Sequence, residues 1–334
     1  MKLTLVTEPT LWDGTLAAWP GASILQAYRW GEIKRQTGWR PYRLLLTAGD
    51  HPLAAAQLLV RRTPLGTVAY VPRGPLFGPD PRANAGLLRA LHDLGREEGA
   101  VFLKIEPPTD DPALAAWLQA QGFRPGAPVQ PQRTLIVDLR PAPDQLAARL
   151  HPKTRYNIGL ARRRGVTVRL GSEHDLPVFY RWLQATSRRG RFPIHPAPYY
   201  ESVWRTLHPA GQAALLMADY QDEPVAAALL LRFGPTAYYM YGASSDRHRS
   251  HKPNDLLQWE AMRWARQQGC LAYDLWGIPT VDPPPGATAG LGGVYHFKRG
   301  FGGTPVTFLG AFDYVYCRWR HALWTRLLRW RAAG

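Results

Sequence analysis

Acidic residues are scarce in this chain. Asp and Glu number 25 against 41 Lys and Arg, a formal charge of +16. A surplus of that size recruits polyanions such as RNA, phosphorylated ligands or an anionic lipid surface. Cysteine is almost missing. Cys270 and Cys317 stand far apart and no C-x-x-C pair occurs, which argues against a zinc or disulfide scaffold. No apolar run approaches the ~20 residues that span a bilayer; Val225–Leu231 is among the longest. The N-terminal M-K-L-T-L-V-T-E-P-T has no apolar stretch of signal-peptide length. A cytoplasmic protein is therefore expected. Gly and Pro, 31 each, stay below the share of roughly 25–30% that marks low-complexity chains. Hydrophobic residues at 46% can fill a large core, and 334 residues exceed what one core usually supports, so two domains are expected.

Familiar catalytic signatures are missing as well. The sequence contains no G-x-S-x-G nucleophile elbow, no H-E-x-x-H zinc helix and no G-x-x-x-x-G-K-[ST] phosphate loop. His248 and His251 lie three apart on a polar stretch with no third ligand in view, so no metal is expected.

What is present begins with the placement of charge. Ten Lys and Arg fall between Lys153 and Arg191, opposed only by Glu173 and Asp175. They interleave with Tyr156, Trp182 and Phe192, a mixture that suits phosphates and bases together. Five Arg and no acid follow from Arg318 onward. There Trp319, Leu323, Leu327 and Trp330 form one helical stripe. Such a helix either rests on a membrane surface or packs as a last core helix.

A pattern occurs twice. L-L-R-A-L-H-D-L-G-R-E-E-G-A-V-F-L-K-I-E-P starts at Leu87, and L-L-Q-W-E-A-M-R-W-A-R-Q-Q-G-C-L-A-Y-D-L-W-G starts at Leu256. Each reads as an amphipathic helix, a glycine cap (Gly99, Gly269) and a short apolar strand ending near an acid. Upstream of each lies a predicted hairpin, from Ala56 and from Ala227, at nearly the same interval. The constant offset predicts a duplicated α+β domain, each copy a β-meander followed by a helix and a further strand. Pro143–Arg164 is predicted as one helix linking the halves and Asp175–Ser187 as another. The stretch V-D-P-P-P-G-A-T-A-G-L-G-G is predicted to be a mobile loop.

Three segments stand out chemically. In Y-H-F-K-R-G-F-G-G (Tyr295–Gly303), Lys298 and Arg299 sit among aromatics and glycines, where a lysine could neutralise a phosphate or a developing oxyanion; a glycine-capped helix end is the plainer reading. In W-G-E-I-K-R-Q-T-G-W (Trp30–Trp39), Lys34 lies on a short aromatic-flanked helix. In Y-M-Y-G-A-S-S, Tyr239 and Tyr241 alternate on a strand and would share one face.

These segments, with K-T-R-Y-N-I-G-L-A-R-R-R-G-V and Y-G-A-S-S-D-R-H-R-S-H-K-P-N-D-L-L-Q-W-E, together resemble the Fem (FemABX) family of peptidoglycan-branching aminoacyltransferases. The resemblance spans nearly the whole chain. It implies two GNAT-like domains in tandem, residues 1–141 plus 311–334 and residues 142–310. T-S-R-R-G-R-F runs straight on to Pro193 without heptads, so the form expected is the one without a coiled-coil arm. The resemblance also implies an enzyme that moves an amino acid, glycine favoured, from aminoacyl-tRNA to the side-chain amine of the stem-peptide diamino acid. The acceptor would be lipid II or UDP-MurNAc-pentapeptide. By motif, Lys298 and Arg299 match the reacting centre. Lys34, Arg188 and Tyr241 match acceptor contacts, as does Glu106, where K-I-E-P replaces the family's K-I-D-P. Lys153, Arg155, Arg162 and Arg163 are the expected tRNA contacts. Aminoacyl-tRNA serves as co-substrate and no cofactor is expected. A monomer is expected, with peripheral contact at the inner membrane surface. R-R-R-G-V-T lacks the last small residue of an acetyl-CoA loop. An acyl-CoA N-acyltransferase is therefore the second reading, and a non-catalytic RNA-binding protein the third.

Overall fold

The computed structural model describes residues 1–190, 192–284 and 290–333. The chain divides into two units, Met1–Gln132 with Thr307–Gly334, and Arg133–Val306.

In the first unit, β1 (Lys2–Leu5), α1 (Pro9–Ala17) and α2 (Tyr28–Arg35) precede a meander of β2 (Arg40–Ala48), β3 (His51–Thr63) and β4 (Gly66–Val71). The short β5 (Leu76–Phe77), α3 (Pro81–Glu97), β6 (Ala100–Ile105), α4 (Pro112–Ala120) and β7 (Arg124–Gly126) follow. The second unit runs β8 (Arg133–Asp138), α5 (Pro143–Arg149), α6 (Pro152–Arg163), β9 (Thr167–Leu170), α7 (Leu176–Gly190) and α8 (Ala197–Leu207). It continues with β10 (Ala213–Tyr220), β11 (Glu223–Phe233), β12 (Thr236–Ser244), α9 (Pro253–Gln267), β13 (Ala272–Gly277), α10 (Gly290–Arg299) and β14 (Thr304–Thr307). The chain then returns to the first unit with β15 (Ala311–Val315) and α11 (Arg318–Ala333).

Both units repeat one plan. The first sheet has the order β1-β2-β3-β4-β6-β15-β7, with β5 against β3; the second has the order β14-β8-β13-β12-β11-β10-β9. In each, an antiparallel meander leads through one long helix to a parallel partner: β4 with β6, and β12 with β13. Gly99 (φ 65°) and Gly269 (φ 79°) end α3 and α9 in the left-handed region, which glycine enters without a Cβ penalty. Asp80 starts α3 by accepting the Arg82 N–H at 2.8 Å, and Leu87, Leu88 and Leu91 are buried beneath it. Each leucine contributes about 2 kcal/mol by leaving water.

The structure departs from expectation at several points. The unit boundaries fall at 132/133 and 306/307 rather than 141/142 and 310/311, because β8 pairs with β13 in the second sheet. Pro143–Arg164 forms two helices, not one. His151, the residue before Pro152, takes ψ 138° as residues preceding proline tend to, Leu150 before it is extended as well (ψ 143°), and the His151 side chain caps α6 by accepting the Lys153 N–H. Of the predicted loop after β13, residues 285–289 lie outside the described residues, and Gly290–Gly293 open α10. Helices α7 and α8 are joined by residues 191–196, so no hairpin arm lies between them. Among the described residues no helix is long and apolar enough to cross a membrane.

Candidate functional site

In the second unit, the parallel ladder between β12 and β13 runs only from Thr236↔Ala272 to Tyr238↔Asp274. Beyond it both strands lose register. On β12, Tyr239 pairs with Leu230 and Tyr241 with Leu229, leaving Met240 as the bulged residue. On β13 the pairing with β8 shifts between Asp274 and Gly277, and Trp276 takes φ 62°. Two adjacent bulges part the strands and re-aim the side chains at their ends.

Asp274 holds the β13 bulge. Its buried carboxylate accepts the Trp276 N–H at 2.7 Å and the Thr134 hydroxyl. That fixes the Gly277 carbonyl, which accepts from Lys298 Nζ at 2.8 Å. Lys298 is buried on the last turn of α10. Loss of water drives its pKa down to about 8, with Asp274 pulling weakly the other way. The glycines after it serve packing. A Cβ on Gly300 would stand 2.2 Å from Thr154 Oγ1, and Gly302 (φ 79°) lies against the Arg149 carbonyl. With His151 N–H donating to Gly300 O at 3.0 Å, they seat the start of basic helix α6 against the end of α10.

Arg299 is exposed and donates to the Tyr295 hydroxyl at 3.3 Å. Lys153, Arg155, Arg162 and Arg163 are all exposed on α6. Arg163 lies 5.9 Å from the ring of Tyr156, itself 61% exposed. Arg162 is tied to Glu260 at 2.7 Å, and Arg155 reaches the Ala147 carbonyl at 3.4 Å.

Arg188 is exposed near the end of α7, and among the described residues its side chain makes no hydrogen bond or ion pair. Its neighbour Arg189, which sequence reasoning missed, binds Asp246 at 2.8 Å and the Ser244 carbonyl at 3.1 Å. It thereby ties α7 to the end of β12. No local pattern marks this role, because both partners lie more than fifty residues away.

The two tyrosines do not share a face. Tyr239 packs on the core beneath α9, whereas Tyr241 meets Tyr200 edge-on at 5.2 Å, with its hydroxyl 3.5 Å from that of Tyr199. The Met240 bulge reverses the alternation. Burial first, and the neighbouring Tyr199 second, raise the Tyr241 pKa well above the usual phenol value.

In the first unit, one face of the sheet carries the expected acceptor residues. Lys34 is half-buried, its Nζ 4.7 Å from the Trp30 ring, with a pKa pushed down to about 8 by lost solvent and then by Arg61. Arg61 lies 5.7 Å from Trp39, and Trp39 packs on Tyr70 at 6.3 Å. The Tyr70 hydroxyl donates to Glu106 Oε2, while Glu106 Oε1 accepts the N–H groups of Val129 (2.7 Å) and Gln130 (3.0 Å). Both oxygens of this buried carboxylate therefore hold the loop before residue 131. Geometry makes Glu106 a positioning residue rather than a free base.

Two family models match this chain: an acetyltransferase (GNAT) domain over residues 152–299 and the FemAB family over residues 16–116. The lipid II:glycine glycyltransferase of Staphylococcus saprophyticus is 26% identical, over 91% of this chain and 90% of the relative. Its counterpart from Staphylococcus aureus is 24% identical with the same coverage. The chain is thus similar to the FemAB family over residues 16–116 and to lipid II:glycine glycyltransferases over most of its length. A crystal structure of FemX shares the fold, with a TM-score of 0.87 at 24% identity over 97% of this chain and 99% of that one. The two sheets are thus tandem GNAT-like domains. The S. saprophyticus alignment runs over 378 residues although this chain has 334, so that relative carries inserted segments absent here.

Proposed function

We propose that this protein is an aminoacyltransferase of peptidoglycan bridge synthesis. It joins glycine, delivered on tRNA, to the side-chain amine of the diamino acid in a lipid-linked precursor. The names of the staphylococcal relatives support glycine and lipid II. The observation that carries the reading is Lys298, buried and aimed at the Gly277 carbonyl where β12 and β13 part.

In the proposed reaction the amine nitrogen attacks the ester carbonyl carbon. A C–N bond forms while the carbonyl electrons move onto oxygen. Collapse of that oxyanion breaks the C–O bond to the ribose, and the proton lost by nitrogen ends on the ribose oxygen. The ester is already activated, so positioning and charge stabilisation suffice. Protonated Lys298 faces the developing negative charge in a site poor in water, where one charge counts for more. A free lysine-type amine has a pKa of ~10.4, and nearby positive charge favours its neutral, nucleophilic form. Lys34 and Arg61 would hold the acceptor diphosphate, and Arg188 and Tyr241 are proposed as further acceptor contacts. The exposed Lys153, Arg155 and Arg163, with Arg162 beside them, would meet the tRNA backbone.

The GNAT-domain match favours a second reading, acyl-CoA as donor. Incubation with charged tRNA and lipid-linked acceptor separates the two. Transfer abolished by ribonuclease supports the first; transfer that survives ribonuclease and needs acyl-CoA overturns it.

A further inference from the structure

Helix α11 has a packed side and an exposed one. Inward, Trp324 stands 6.1 Å from Phe102 and His321 5.0 Å from it, closing a small cluster with Val68, Val101 and Trp39. Outward, Trp319 is 63% exposed and Leu323, one turn on, is 44% exposed. Arg318, Arg320 and Arg326 are exposed around them, and the Arg320 guanidinium lies 5.0 Å from the Trp319 ring. From residue 318 onward the chain has no carboxylate side chain. Leu327 and Trp330 of the predicted stripe lie beyond the residues whose side chains are described.

We propose that this outer face of α11 is a docking surface for an anionic lipid bilayer. An indole and an aliphatic side chain one turn apart, ringed by arginines, match the boundary between headgroups and acyl chains. Trp prefers that depth, Leu reaches the hydrocarbon and Arg meets the phosphates. Trp alone would also suit a nucleic-acid base, but Leu323 gains nothing from a base and gains from lipid. Position agrees. The cluster under α11 includes Trp39, and Arg61 lies over Trp39 beside Lys34. The docking helix thus shares a sheet face with the lysine proposed to hold the acceptor diphosphate. An acceptor anchored in the bilayer would be met from that side. The inference does not depend on the transfer reaction, because the test contains neither donor nor acceptor.

The experiment is co-sedimentation of the full chain with vesicles of phosphatidylcholine alone or mixed about equally with phosphatidylglycerol. Binding is expected only to the anionic vesicles and is reduced by salt. W319S/L323S, which keeps every charge, should weaken it by about tenfold or more. R318Q/R320Q should weaken it by about fivefold per arginine. All four side chains are exposed, so circular dichroism should be unchanged. Absence of binding to anionic vesicles, or equal binding by W319S/L323S and wild type, overturns the proposal. So does a result in which these variants lose labelled tRNA but keep vesicle binding.

Discussion

The Nζ of Lys298 and the carbonyl of Gly277 meet at 2.8 Å, and the contact exists because Asp274 holds the chain between them in a bulge. Trp276 pays for that bulge with a left-handed φ of 62°, which costs a non-glycine residue roughly 1 kcal/mol. The strain, the buried acid and the desolvated lysine all converge on the point where two parallel strands separate.

Replacing Lys298 with Met removes the charge at nearly constant length. Turnover should fall by about 100-fold or more, the usual cost of one oxyanion-stabilising group, while KM for both substrates changes little. Steady-state kinetics with a charged tRNA check this. Equal loss in KM and kcat would make Lys298 a binding residue instead.

The alkaline limb of the pH profile follows from the same lysine. Lys298 has a pKa lowered by burial to about 8, against 10.5 for an ordinary lysine. Activity that needs its charge should decline as pH rises through about 8, and Lys298→Arg should push that limb upward. Stability runs the other way. Between about 8 and 10.5 the unfolded chain binds more protons than the folded one, so stability rises with pH across that window and is lost as pH falls through it. Lys34 shifts in the same direction, so the diagnostic quantity is the difference between wild type and Lys298→Met in urea unfolding at pH 7.5 and 9.5. A rise of about 2 kcal/mol should be missing from the variant.

Glu106 should behave as a structural carboxylate. Glu106→Ala strands two backbone donors and the Tyr70 hydroxyl. It should destabilise the first unit by about 3 kcal/mol, read from denaturant unfolding. A variant with unchanged stability but no activity would instead make it a catalytic base.

Gly300→Ala places a methyl 2.2 Å from Thr154 Oγ1 and should cost about 1–3 kcal/mol by overpacking. Thr154→Ala in the same chain should recover part of that loss. A double-mutant cycle with no coupling would show that the helix end relaxes freely.

Much of the architecture was legible because it rests on local signals. The apolar strands, the amphipathic α3 and α9 and their cap glycines repeat at one interval, and a duplicated α+β plan follows. Lys298 stands out in the sequence as a lysine among aromatics and glycines, and the structure buries it beside the Gly277 carbonyl. What escaped depends on register and on distant partners. The Met240 bulge that sends Tyr239 and Tyr241 to opposite faces has no signature in Y-M-Y-G. The break at Leu150 is set by Pro152 and by the His151 cap. Nothing in K-I-E-P shows that Glu106 is bound on both oxygens, because its partners come from Tyr70 and from a loop more than twenty residues on. For the C-terminal helix the sequence left two facings open; the structure packs Trp324, off the stripe, inward and leaves Trp319 and Leu323 exposed.

The decisive measurement is transfer of radiolabelled glycine from charged tRNA to a lipid-linked stem peptide by the purified protein, with and without ribonuclease. Label on the side-chain amine of the diamino acid, lost with ribonuclease and with Lys298→Met, is the predicted result. Label that persists after ribonuclease, or full activity in Lys298→Met, would contradict it.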